Sequence, residues 1–224
     1  MALENTDVAK PVLNAQQPYW ESKFSTRQDM FGRNPSPPAP RAANLFKQES
    51  KTKILELGCG QGRDTIFFAQ NGFRVYAVDY TQSGVDAINQ KARALGLDES
   101  ITAVCHDVRN PLPFEDNSFD GCYSHMLYCM ALTTSELEFL SNEVRRVLKP
   151  GGLNVYTVRN ANDPHYRTGI PRGEDMYEVN GFIVHFFSQE KVTHLAKGYE
   201  IFEIDEFEEG DLPRKLYRVT LRKK

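Results

Sequence analysis

Residues 53–64 read KILELGCGQGRD, and this stretch restricts the fold more than any other. Ile54, Leu55 and Leu57 give a short apolar strand. Glycines at 58, 60 and 62 end it, and Ile66, Phe67 and Ala69 begin a helical pattern. Strand, tight turn and helix open a βαβ unit. The glycines let the backbone turn sharply and let a ligand lie against it with no Cβ atoms in the way. The N-terminus of the helix turns its unpaired N–H groups towards the same place.

The remainder of the chain repeats the unit. A helix over about 61–71 ends at Gly72, and Arg74–Tyr80 reads as a second strand. Val85, Ile88, Ala92 and Leu95 line one face of a helix over 83–95. Strands are expected at 101–107 and from Phe119, with a Pro-rich loop between them. Thr133 or Thr134 caps a helix whose apolar face is Leu137, Leu140, Val144, Val147 and Leu148. A turn at Pro150-Gly151-Gly152 leads into a fifth strand. This alternation predicts an α/β fold, a parallel sheet with helices on both faces and right-handed crossovers. A ligand then belongs at the carboxyl ends of the strands, where Glu56, Asp79, Asp107 and residues 124–128 converge.

Before and after these units lie two less regular regions. Residues 1–18 lack periodicity and are expected to be flexible. Trp20 and Phe24 share a helical face, while Pro35, Pro37, Pro38 and Pro40 predict an extended segment. Residues 1–45 are therefore read as an arm, which must cover its aromatics on the body or on the ligand. Residues 46–224 are read as one domain, with a lid at about 160–187 that begins as a long loop over 160–181. A short strand at FIVHFFS, a helix over SQEKVTHLAKG and an antiparallel pair around Asp211-Leu212-Pro213 complete the reading.

The ligand follows from spacing. G-x-G-x-G differs from the G-x-G-x-x-G of dinucleotide sites. Glu56 lies two residues before Gly58, where a carboxylate repels phosphate and attracts a cation. Asp79 falls ~20 residues past the glycines, where a ribose diol is held. A ribose, no phosphate and a positive charge describe S-adenosylmethionine.

The chain here resembles the class I S-adenosylmethionine-dependent methyltransferases, whose first motif is similar to its ELGCGQG and whose turn before strand five is similar to its VLKPGG. The arm pattern, Trp20, Phe24 and then FGRNPS, is similar to that of the thiopurine and tellurite-resistance small-molecule methyltransferases. The resemblance runs from about Trp20 to the C-terminus. It implies a three-layer, doubly wound, mostly parallel seven-stranded sheet with a C-terminal antiparallel hairpin. It further implies that Glu56, Gly58, Gly60 and Gly62 shape the pocket for the methionine part of the cofactor, with Cys59 a small residue that fits the turn. Asp79 would accept the ribose hydroxyls, Tyr80 and Thr81 would flank adenine, and Asp107 and the Val108 N–H would meet its edge. Trp20 on the arm and Ser124 on strand four would close the cofactor site. His125 is the named base, with Tyr128 beside it. His165, Tyr166, Arg167 and His185 are the lid residues that could touch substrate. Arg63 could bind the cofactor carboxylate or lie on the surface.

Composition narrows the acceptor. Net charge is −3 and the pI about 6.0, so nucleic acid is not an expected partner. The chain also has SHMLY where amino-methylating enzymes of nucleic acid bases have D/N-P-P-Y/F/W, and no Pro-Cys dipeptide. A small-molecule acceptor is expected, with the protein a monomer or homodimer. Four cysteines make no C-x-x-C pair, which predicts a reduced, cytoplasmic protein with no structural metal. Cys105 and Cys122 are expected to be buried in strands. No leader pattern or membrane-spanning run is read. The competing readings are a non-catalytic cofactor-binding sensor or partner subunit and, further off, a nicotinamide oxidoreductase.

Overall fold

In the computed structural model, which describes residues 10–210 and 214–224, the strand before the glycines is β1 (Lys53–Leu57), buried along its length after Lys53. It pairs in parallel with β2 (Arg74–Asp79) on one side and β4 (Phe119–His125) on the other. With β3 (Ile101–Cys105), β5 (Leu148–Arg159), β9 (Tyr199–Glu209) and β10 (Arg214–Lys223) they form a seven-stranded sheet of order β3-β2-β1-β4-β5-β10-β9. Strand β10 runs antiparallel to both neighbours, which makes the expected C-terminal hairpin. Its turn, placed by sequence at 211–213, lies outside the described residues. The strand order reverses beside β1, so the carboxyl ends of β1 and β4 diverge and leave a crevice.

Helices cover both faces. Helices α3 (Ala39–Gln48), α4 (Arg63–Gln70) and α5 (Gln82–Leu95) bury Phe46, Phe68, Ile88 and Ala92 on one side. On the other, α6 (Thr134–Val147) buries Leu137, Leu140, Val144 and Val147. Thr133 and Glu136 cap α6 reciprocally, which satisfies two N–H groups that would otherwise lack partners. Gly62 caps α4 in the left-handed region, φ +84°, and a Cβ there would lie 2.5 Å from Ile88 Cγ1. Only glycine lets α4 and α5 approach so closely.

Four expectations are corrected. Of the segment 1–18, residues 1–9 lie outside the described residues; the rest is helical from Lys10, as α1 (Lys10–Asn14) and α2 (Gln16–Thr26), because Leu13 and Phe24 find burial on the body. The prolines do not force an extended segment throughout: Pro38 and Pro40 open α3, where a missing N–H costs nothing. The range 160–181 is not a loop. It supplies β6 (Ile170–Gly173) and β7 (Met176–Val179), which pair antiparallel with β8 (Phe182–His185) in a separate three-stranded sheet. Helix α7 (Gln189–Leu195) follows, capped by Ser188. Cys105 is also exposed rather than buried, since it ends the edge strand β3, whereas Cys122 on central β4 is buried.

Candidate active site

A cavity of about 890 Å³ opens at the carboxyl edge of the sheet. Its floor is built from strand ends. Glu56, Gly58, Cys59 and Gly60 line it from β1 and the turn, Asp79 and Tyr80 from β2, Asp107 and Val108 from β3, and His125 from β4. Gly60 N donates to Asp79 Oδ2 at 2.8 Å, and the Thr81 hydroxyl and amide donate to Oδ1 at 2.6 and 3.0 Å. Asp79 is thus aimed before any ligand arrives, and Thr81 serves as its support behind the cavity wall. Burial raises the Asp79 carboxyl above its ordinary range, against the pull of those three bonds.

Glu56 is almost fully buried, with the Thr65 hydroxyl donating to it at 2.6 Å. Burial, and then the neighbouring Asp64 charge, push its carboxyl well above the usual value. Two buried acids sharing one wall therefore leave a demand for a cation or hydroxyl donors. A nucleoside sulfonium with an amino group and a ribose diol meets it, so these residues fit S-adenosylmethionine. Cys59 is held a neutral thiol by burial and by the Asp79 and Glu56 charges, which rules against a nucleophilic role.

Asp107 is engaged differently from expectation. Arg109 clasps it with Nε and Nη2, at 3.0 and 2.6 Å to Oδ2, and donates its own amide to Oδ1 at 3.0 Å. Burial opposes ionisation of Asp107, but these bonds outweigh it and hold the carboxyl below its normal range. Arg109 reaches on to Asn14 Oδ1 at 2.6 Å, tying the floor to the end of α1.

The roof comes from the arm and lid. Trp20 contacts Phe182 and Phe24, with centroids 5.0 and 5.4 Å apart, and Phe31 lies 6.2 Å from Trp20. Gln16 latches the two parts, donating to Gly181 O and accepting from Ile183 N, both at 3.2 Å. The arm is also fixed to the glycine turn. Gln61 donates to Phe24 O and Arg27 O and accepts from Met30 N. Asp64 accepts from the Ser36 amide and hydroxyl, each at 2.6 Å.

Several expected site residues lie elsewhere. Tyr128 is fully buried, stacked on Tyr156 at 4.4 Å, with its hydroxyl 3.4 Å from Asn154 Nδ2; it belongs to the core. Ser124 is fully buried and outside the cavity lining; side chains alternate along β4, and His125 takes the cavity side. Gly62 serves helix packing. His185 is enclosed within the lid, Nδ1–H donating to Leu132 O at 2.8 Å and Nε2 accepting from Lys191. Burial and Lys191 push it down to about 4, so it is neutral and structural. Tyr166 donates to Asp175 at 2.8 Å, and Arg167 lies over the Tyr166 ring, both outside the cavity lining. His165 does line the cavity, its Nδ1 accepting from Arg159 at 2.8 Å.

His125 has both ring nitrogens engaged. Nδ1 is 2.8 Å from Thr157 Oγ1, and Nε2 is 3.4 Å from Glu209 Oε2. The Thr157 oxygen already accepts from Met126 N, and its proton has no other acceptor among the described residues. Thr157 therefore donates to Nδ1, which assigns the imidazole proton to Nε2, facing Glu209.

The sequence reading did not single out Gln16, Gln61, Asp64, Arg109, Arg159 or Glu209 for a role. Gln61 inside the glycine turn and Arg109 two residues after Asp107 carried a local signal. Gln16 and Glu209 carried none, since their partners are distant in the chain.

Comparison with known proteins agrees with this geometry. Residues 54–152 match the family described as methyltransferase domain. A rice protein, 24-methylenesterol C-methyltransferase 2 of Oryza sativa subsp. japonica, is 30% identical over 73% of this chain and 45% of its own length. The chain thus spans less than half the length of that relative. The structure of Burkholderia thailandensis 1,6-didemethyltoxoflavin-N1-methyltransferase, with its substrate and S-adenosylhomocysteine, superposes with a TM-score of 0.73 at 16% identity, covering 100% of this chain and 93% of that one. TehB from Haemophilus influenzae gives 0.67 at 18% identity, over 92% and 67%. The fold is that of the class I methyltransferases.

Proposed function

We propose that this chain, a methyltransferase-domain protein of the class I fold, transfers a methyl group from S-adenosylmethionine to a small-molecule acceptor. One observation carries the reading: Glu56, Asp79 and Asp107, from three separate strand ends, share with the glycine turn one wall of a cavity that the arm and lid roof over. Glu56 and the Gly58–Gly60 backbone would hold the amino-acid end of the cofactor, Asp79 its ribose, and Tyr80, Asp107 and Val108 its adenine. Bound there, the sulfonium supplies an activated methyl and a good leaving group. The protein then has to align the acceptor and exclude water, and positioning alone can supply several kcal/mol. Leu127 and Met130 on the β4–α6 connection and Trp20, Phe31 and Phe182 above give an apolar chamber for that purpose.

The acceptor class is supported by the chamber's size and by relatives that include sterol and phosphoethanolamine methyltransferases. The protein is taken to act as a monomer or homodimer, without nucleic acid and in the cytoplasm. Its acidic net charge supports the absence of nucleic acid, and among the described residues no helix is long and apolar enough to cross a membrane. Incubation with methyl-labelled cofactor and a panel of thiols, phenols, amines and chalcogen oxyanions tests the reading. Label should move to at least one class; cofactor binding with no transfer to any would favour a sensor.

A further inference from the structure

At the end of β9, Glu209 lines the cavity from the strand furthest from the glycine turn. It is mostly buried, and so is His125 beside it. Its Oε2 is sealed against His125 Nε2 at 3.4 Å, yet has no hydrogen-bond partner among the described residues. Its Oε1 accepts no hydrogen bond from them either, and the residue lines the cavity. It shares the cavity lining with Met30, Phe31, Met126 and Phe182, and also with Arg63 and Arg214.

We infer that Glu209 is the acceptor-recognising residue of this site, and that it selects a planar, largely apolar molecule presenting a neutral N–H or O–H at the reacting atom. This rests on the methyltransferase reading above. The aromatic part of the lining, Trp20, Phe31 and Phe182, suits a flat skeleton, and the Glu209 carboxylate accepts one donor through the oxygen not turned to His125. His125, with its Nε2 proton facing Glu209 and Nδ1 filled by Thr157, has no lone pair left to act as base. It is a positioning residue that holds the carboxylate. Burial works against ionisation of Glu209, but His125, Arg214 and Arg63 outweigh it and keep the group below its usual range. A weak base suffices, because the heteroatom becomes strongly acidic as it gains the methyl. The lone pair of the acceptor atom forms the new bond to carbon, the carbon–sulfur pair leaves with sulfur, and the N–H or O–H proton passes to Glu209 Oε1 while its bonding pair stays on the acceptor.

The test needs no turnover. With S-adenosylhomocysteine saturating the protein, ligand-observed NMR would measure binding of matched pairs: 2-naphthol with 2-methoxynaphthalene, indole with 1-methylindole, benzimidazole with 1-methylbenzimidazole. The donor member should bind roughly 10- to 100-fold tighter, the range of a hydrogen bond to a charged group. In Glu209→Gln, which keeps the shape and loses the charge, most of that preference should vanish while S-adenosylhomocysteine affinity holds. Equal binding within pairs, binding of no member, or a preference that survives in Glu209→Gln would each overturn the inference. Failure of S-adenosylhomocysteine itself to bind wild type would instead overturn the methyltransferase reading.

Discussion

The floor and the roof of the cavity are built on different physical principles. The floor uses short-range rules. Glu56, Asp79 and Asp107 sit at or just past strand ends, and the backbone turn that receives the ligand is made by consecutive residues. The roof uses pairings between distant segments: Gln16 with Gly181 and Ile183, Trp20 with Phe182, Ser36 with Asp64. The floor therefore fixes what kind of methyl donor fits, and the roof decides what else enters. A change in the floor should remove cofactor binding with the fold intact, whereas a change in the roof should loosen segments and alter access.

The largest expected effect is in the floor. Asp79→Ala removes the ribose acceptor and frees Gly60 N and Thr81; loss of two charge-assisted bonds should weaken S-adenosylhomocysteine about 100-fold or more by calorimetry. An unchanged affinity would remove Asp79 from the site. Next comes the joint between the regions. Asp64→Ala leaves the Ser36 amide buried without a partner and the Ser36 hydroxyl with Tyr123 alone, a loss of about 1–3 kcal/mol in denaturant unfolding, accompanied by faster proteolysis between α2 and α3. If the arm stays protected, it is held by its aromatics instead.

This contrast also explains what could be read in advance. The order of strands and helices, the C-terminal hairpin and the acids at the strand ends all follow from local apolar period and glycine spacing. The lid sheet did not, because β6 and β7 are short, half-exposed and interrupted by Gly173. Tyr128 and His185 have residue types that carry chemistry, yet burial against Tyr156 and Leu132 assigns them to the interior. Glu209 went unnoticed among the acids of β9, since nothing in a run of glutamates distinguishes the one that turns inward.

Glu56 sharpens the comparison through pH. Burial raises its folded pKa, so over the interval from the ordinary carboxylate range up to that raised value the folded apo protein holds a proton that the unfolded chain has lost. Apo stability should therefore fall as pH rises through this interval. Glu56→Gln should stabilise the apo protein at neutral pH and flatten the pH dependence of unfolding, while weakening a cationic ligand. A stability profile unchanged by Glu56→Gln would show that burial does not raise the Glu56 pKa.

In the roof, Gln16→Ala should cost about 1–2 kcal/mol and speed amide exchange at Ile183 with little change in cofactor affinity. Smallest of all, Tyr128→Phe removes a 3.4 Å contact to Asn154 within the core and should leave both stability and turnover within about 1 kcal/mol of wild type. A large loss of turnover there would return Tyr128 to the chemistry.

The central claim, that the floor is built for a nucleoside sulfonium and not a dinucleotide, is tested most directly by titrating the purified protein with S-adenosylhomocysteine and with NAD in the same calorimeter. Saturable one-site binding of S-adenosylhomocysteine, with no measurable NAD binding, is the predicted result. Tight NAD binding in the absence of S-adenosylhomocysteine binding would contradict it.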